Sequence, residues 1–196
     1  MTKATATKMV ILEKAFELIY VKGYQATSID DIIARTKVTK GAFFYHFKNK
    51  DEMGLAVITD LMTPQMNSSF VNELKCEKDP VKAIYSLMEQ LLLKSPLLLR
   101  EYGCPAGNLS QEMSPLDPHF SKALLVLFNQ WKDRLKDSIN KGKKAGLIRK
   151  DVDAKQVAYF VMAGYWGIRN VGKLDGSADC YRVYLKQLKH YLKSLR

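Results

Sequence analysis

Cysteine, histidine and acidic side chains are all scarce in this chain of 196 residues, and long apolar runs are missing. The three cysteines, Cys76, Cys104 and Cys180, form an odd and scattered set, which argues against a disulfide framework and for a reducing, cytoplasmic setting. His46, His119 and His190 lie far apart, and no Cys/His spacing suits a metal. No glycine-rich phosphate loop follows a strand-like run. With no catalytic constellation legible, the chain is not read as an enzyme, and neither a cofactor nor a metal is expected. Apolar runs such as Leu124 to Phe128 fall well short of the roughly 18 residues that cross a bilayer. The start, Met1 to Thr5, lacks the apolar stretch of a secretory signal.

The shortage of acid is set against an excess of base: 20 Asp plus Glu against 31 Lys plus Arg, a net charge of +11. Such a surplus favours a polyanionic partner, nucleic acid or an anionic membrane surface. It is uneven along the chain. Residues 1–50 hold nine bases and four acids, a net +5, and the rest of the chain carries the other +6.

Prolines and glycines leave helix-sized segments between them, and no run alternates as half-buried strands do, so the chain reads as all-α. A first helix is expected from about Thr7 to Lys22, with Ile11, Ala15, Leu18 and Ile19 on one face and Gly23 as a left-handed cap. A second begins at Thr27-Ser28, with Asp30 and Asp31 favourably placed at its N-terminal end. After a turn at Thr36 to Val38, Thr39 caps a short aromatic helix reaching about Phe47. A longer helix starts at Asn49 and should kink or end at Pro64. Pro80 suits the first turn of another helix, with Val81, Ile84, Tyr85, Met88, Leu91 and Leu92 as its stripe. Pro96 to Pro115 reads as irregular with one short helix. Long helices follow from Pro118 to Gly142 or Gly146, from about Asp153 to Lys173 and from Ser177 to Ser194.

Two short helices joined by a three-residue turn, residues 27 to 47, form a helix-turn-helix, whose second helix can enter the DNA major groove. Pattern alone leaves a plain helical core as an equal alternative; the charge at this end of the chain favours DNA.

The residues Gly23-Tyr24-Gln25-Ala26-Thr27-Ser28-Ile29-Asp30-Asp31-Ile32 and Thr39-Lys40-Gly41-Ala42-Phe43-Phe44-Tyr45-His46-Phe47-Lys48-Asn49-Lys50-Asp51-Glu52 closely resemble the TetR family of bacterial transcriptional repressors. Gly103-Cys104-Pro105-Ala106-Gly107-Asn108-Leu109 resembles one subgroup of it. The resemblance implies a helix-turn-helix DNA-binding domain at 1–50 and a larger helical ligand-binding and dimerisation domain at 51–196. It further implies a regulator, expected to repress, that binds a palindromic double-stranded operator as a homodimer. A small, largely apolar effector would release it.

Candidate DNA contacts follow from side-chain chemistry. Gly41 permits close backbone approach, and Lys40 reaches a guanine or a phosphate. Thr39, Tyr45 and His46 offer donors to phosphate oxygens, and Lys50 a charge at the next helix start. Thr27 and Ser28 stand against the other phosphate strand or act only as caps. Phe44, where the family usually has tyrosine, packs on a thymine methyl or sugar. Phe43 and Phe47 are core, against Ile11, Ala15 and Ile32. Lys37 occupies a turn position that is commonly glycine, and a positive φ there would cost about 1 kcal/mol.

The helix from Val157 to Ile168 is apolar nearly all round and needs cover on more than one side. Tyr159, Ala163 and Gly167, with Tyr181, Tyr184, Leu188 and Leu192 of the last helix, are candidates for an isologous four-helix interface; the alternative is that both helices complete the monomer core. Tyr85, Met88, Phe128, Trp131, Met162 and Trp166 are candidate effector-pocket residues, with Asn108 and Glu112 as orienting polar groups. Cys104 either faces that cavity as a sensor or is a buried structural residue. Lys186, Lys189, Lys193 and Arg196 on the last helix would also suit a membrane-surface helix, but its apolar side is better used in dimerisation. No membrane partner is expected.

Overall fold

A computed structural model of the chain describes residues 2–76, 78–96 and 98–196, and the side chains of all of these except 69–73, 75 and 76. Cys76 therefore lies outside the described side chains. The helices are α1 (Lys3–Lys22), α2 (Ile29–Arg35), α3 (Lys40–His46), α4 (Lys50–Ala56), α5 (Thr63–Cys76), α6 (Pro80–Glu89), α7 (Pro105–Met113), α8 (Pro118–Lys144), α9 (Ala154–Asp175) and α10 (Asp179–Lys193). Among the described residues there is no strand. The fold is all-α, as the absence of alternating patterns requires.

Local chemistry accounts for most helix ends. Thr2 caps α1 by accepting from Thr5 N–H at 3.2 Å, so the helix begins a turn earlier than Thr7. Gly23 ends α1 with φ 93° and ψ 161°, a positive φ but not the left-handed helical cap expected. Ser28 and Asp31 close a reciprocal capping box on α2, each side chain bonded to the other's backbone N–H at 3.0 Å. No non-glycine residue described has positive φ, so Lys37 carries none of the strain expected of it. Pro64 does not break its helix. The preceding residues Val57–Met62 form a π-helical stretch in which Thr63 N–H bonds to Ile58 O, five residues back. That widening gives the proline ring room against the previous turn, and helix resumes through α5.

The chain divides into two compact units. The first comprises Met1–Met66 and Pro105–Leu127, so it extends past residue 50 and takes in a distant segment. Its core joins Ile11, Leu12, Ala15, Ile32, Phe43, Phe47, Met53, Ile58, Leu109 and Phe120, all buried. Here α1 packs on α2, α3, α4 and the π-helical stretch. Gly54 is required by this packing: a Cβ there would lie 2.5 Å from the Tyr24 ring and 2.8 Å from the Phe120 ring.

The second unit comprises Asn67–Cys104 and Phe128–Arg196. In it α10 packs on α6 and on α9. Arg169 of α9 is fully buried, and its guanidinium donates to the carbonyls of Leu98 (3.2 Å), Leu99 (3.1 Å) and Gly103. Those bonds tie the segment before α7, with its 3-10 turn at Arg100–Tyr102, to α9. Gly103 lies under the Lys173 stem, and its φ of 71° is the left-handed conformation that favours glycine.

Candidate nucleic-acid interface

The short helix α3 has two chemically distinct faces. Phe43 and Phe47, one turn apart, are buried and reach the core shared with Ile11, Ala15 and Ile32. Lys40, Gly41, Phe44 and Tyr45 lie on the other side, at spacings that keep them together, and all four are exposed. Tyr45 is 78% exposed, unusual for an aromatic residue in a chain able to bury so many others. Nothing lies within 4 Å of where a Cβ on Gly41 would stand, so a flat, open backbone patch sits beside the two rings. His46 is half-buried and meets Tyr45 edge-on, with ring centres 5.0 Å apart. Thr39 is exposed and caps α3, accepting from Ala42 N–H at 3.2 Å.

Lys40 Nζ pairs with Asp30 Oδ1 of α2 at 3.1 Å, and both side chains are largely exposed. An ion pair so placed contributes little to stability, and the ammonium exchanges readily to a phosphate or a guanine. Ser28 is exposed but engaged in its capping box.

Two of the predicted contact residues are placed elsewhere. Thr27 is only 1% exposed, and its hydroxyl donates to Gly23 O at 2.7 Å, so it fastens a loop and presents nothing to a phosphate. Lys50 turns inward. Its Nζ donates to Tyr24 O and Thr27 O, each at 3.1 Å, and to Gln25 O at 3.5 Å, and sits 4.5 Å from the Tyr24 ring centre. A lysine beside an aromatic face and three carbonyls is well satisfied there. Tyr24, not singled out in the sequence, anchors the same loop: its hydroxyl donates to Asp51 at 2.5 Å, and burial together with that carboxylate pushes its pKa well up. No local pattern pairs residues 24 and 51.

The remaining candidates divide between the two units. Asn108 and Glu112 belong to the first, where with Phe16, Ile19, Tyr20, Pro105 and Leu109 they line a small recess. Glu112, expected to orient an effector, bonds to the loop between α1 and α2. One oxygen accepts from Tyr24 N–H at 2.9 Å and the other from Gln25 N–H at 2.8 Å.

Tyr85, Met88, Cys104, Phe128, Trp131, Met162 and Trp166 belong to the second unit. Phe128 brings Trp166 and Tyr159 together, with ring centres 5.7 and 5.8 Å away, while Trp131 meets Tyr165 edge-on. Met88, Trp131, Met162 and Cys104 are buried, and Tyr85 lies under Lys189. The Trp166 indole N–H is enclosed, with no acceptor among the described residues.

Of the candidate interface residues, Tyr159, Ala163 and Gly167 are exposed along α9, continued by Val171 and Leu174. Tyr181, Leu188 and Leu192 are not: they are 1, 2 and 0% exposed within their own chain, core of the monomer and unable to face a partner. Tyr184 is half-buried, its ring filling the space over Gly164.

Comparison with known proteins agrees with this architecture. Residues 11–57 match the family described as bacterial regulatory proteins, tetR family, and residues 81–188 match the tetracyclin repressor-like C-terminal domain. An uncharacterized HTH-type transcriptional regulator in the lacX 3′ region of Lactococcus lactis subsp. lactis is 34% identical over 134 residues, 68% of this chain and 68% of that one. The HTH-type transcriptional repressor DhaR of Mycobacterium sp. (strain GP1) is 27% identical over 163 residues, 83% of this chain and 80% of its own. Among solved structures, a TetR-family transcriptional regulator from Cytophaga hutchinsonii superposes with a TM-score of 0.88 at 21% identity, covering 100% of this chain and 98% of that one. A TetR transcriptional regulator from Chloroflexus aurantiacus J-10-FL gives 0.87 at 25% identity, covering 97% and 96%. With its helix-turn-helix and both parts of the family matched, the chain belongs to the tetR family of bacterial regulatory proteins and is a transcriptional regulator of the helix-turn-helix type.

Proposed function

We propose that the protein is a ligand-responsive repressor that binds a palindromic double-stranded operator as a homodimer and is released by a small, largely apolar effector. One observation carries the DNA-binding part: α3 stands on a buried Phe43–Phe47 footing and turns Lys40, Gly41, Phe44 and Tyr45 outward. Lys40 reads a base edge or a phosphate, Gly41 allows the backbone close, Phe44 meets a thymine methyl or sugar, and Thr39, Tyr45 and His46 face phosphates. Ser28 flanks the opposite strand. Residues 1–50 supply this reading surface, and residues 51–196 bind the effector and form the dimer. The resemblance of the run from Gly103 to Leu109 supports membership of that subgroup, and the positive φ of Gly103 supports a special role for that glycine.

Exposed Tyr159, Ala163, Gly167, Val171 and Leu174 form the α9 contribution to a two-fold interface, with Tyr184 at its border. A two-fold dimer sets two reading helices on successive major-groove turns, hence a palindrome. Tyr85, Met88, Phe128, Trp131, Met162 and Trp166, all of the second unit, supply the effector region, and the enclosed Trp166 N–H supports an effector bearing an acceptor. Fluorescence anisotropy with a duplex from the chain's own promoter region tests this function. Tight, strongly salt-dependent binding to that duplex over a scrambled one is expected. Full retention of binding by Lys40→Ala combined with Tyr45→Ala would remove α3 from the interface.

A further inference from the structure

We propose that Glu112 is a positioning residue for DNA reading, a proposal that rests on the operator-binding function above. The loop between α1 and α2 is held from both sides by charge. Its amides, Tyr24 N–H and Gln25 N–H, each donate to a separate oxygen of the Glu112 carboxylate, at 2.9 and 2.8 Å. Its carbonyls at Tyr24, Gln25 and Thr27 accept from the Lys50 ammonium. The carboxylate also lies against Gly23, where a Cβ would stand 3.3 Å from both oxygens, and Gly23 holds a positive φ.

This loop runs directly into the Ser28 cap of α2, and α2 carries Asp30, the partner of Lys40. A charge-assisted hydrogen bond is about twice as strong as a neutral one, and two on adjacent amides fix both position and tilt. Glu112 is located on α7, outside the reading segment. It acts on α3 through the loop and α2. With both carboxylate oxygens engaged, it is part of the DNA-reading module.

The test compares the full-length wild type with Glu112→Ala and Glu112→Gln. Binding is measured on a duplex from the chain's own promoter region and on a scrambled duplex, and the backbone amides are followed by NMR. The expected result is a helical Glu112→Ala whose affinity for the promoter duplex falls about tenfold, the scale of one lost charge-assisted bond, while scrambled-duplex binding and its salt slope stay unchanged. Glu112→Gln, which keeps one acceptor oxygen, recovers part of the loss. The Tyr24 and Gln25 amide resonances move upfield in Glu112→Ala. If that variant does not fold, Glu112→Gln decides by the same readings, with a smaller loss expected. Promoter binding equal to wild type, or unmoved Tyr24 and Gln25 amides, overturns the proposal and leaves the repressor reading intact. A wild type that does not distinguish the promoter duplex from the scrambled one overturns both.

Discussion

Lys40 and Asp30 meet across the turn of the helix-turn-helix, Nζ to Oδ1 at 3.1 Å, with both side chains open to solvent. The pair holds the lysine at the edge of the exposed α3 face without burying it. Since exposed ion pairs are worth about 0–1 kcal/mol, Lys40→Ala is expected to leave the denaturation midpoint within about 0.5 kcal/mol of wild type. The same change should weaken binding to the promoter duplex by about 1–3 kcal/mol if Lys40 reads a base. Urea denaturation and anisotropy on the same samples separate the two effects, and a stability loss without an affinity loss would place Lys40 outside the interface.

Gly54 is the counter-case, a residue that matters only to packing. Its α4 position faces the buried Tyr24 and Phe120 rings, which pack at 4.8 Å between centres. Gly54→Ala gains helix propensity but drives a methyl group into both rings, and the net loss should be about 1–3 kcal/mol. A lowered urea midpoint with an unchanged m-value is the expected reading.

The Ser28–Asp31 capping box predicts a titration. Bonding to Ser28, through its backbone N–H first and its hydroxyl second, holds the Asp31 carboxyl below the ordinary aspartate value. A carboxyl depressed in the folded state contributes stability that is present above its unfolded pKa and lost as pH falls through the folded one. Ser28→Ala should move the Asp31 pKa upward in an NMR titration. Loss of the cap should also cost about 1 kcal/mol of stability.

The proposed dimer is tested at Gly167, where no atom lies within 4 Å of a Cβ position. Gly167→Arg is expected to leave the monomer fold intact, with a gain of roughly 0.5–1 kcal/mol in helix propensity. Sedimentation velocity should nevertheless show a shift from dimer to monomer. Unaltered sedimentation would remove this stretch of α9 from the interface.

What the chain reveals before folding is what short-range chemistry controls. Ser28, Thr39 and Pro80 mark helix starts because a side-chain oxygen or a missing N–H acts within one turn. The i, i+4 spacing of Phe43 and Phe47 marks the buried side of α3 and leaves Lys40, Gly41, Phe44 and Tyr45 opposite. Even within that range Pro64 does not end its helix, because a π-helical turn precedes it and the helix continues.

Side chains able to serve two purposes were assigned only by the tertiary structure. Thr27 and Lys50 look like phosphate contacts in the sequence, but unmet backbone groups at Gly23, Tyr24, Gln25 and Thr27 claim them. Glu112 was bound to a loop 87 and 88 residues away, and Tyr181, Leu188 and Leu192 were enclosed by their own chain. The physical reason is the same throughout. A polar group takes the partner that leaves fewest buried donors and acceptors unmet, and an apolar one goes where most of its surface leaves water; both depend on neighbours that only folding brings within reach.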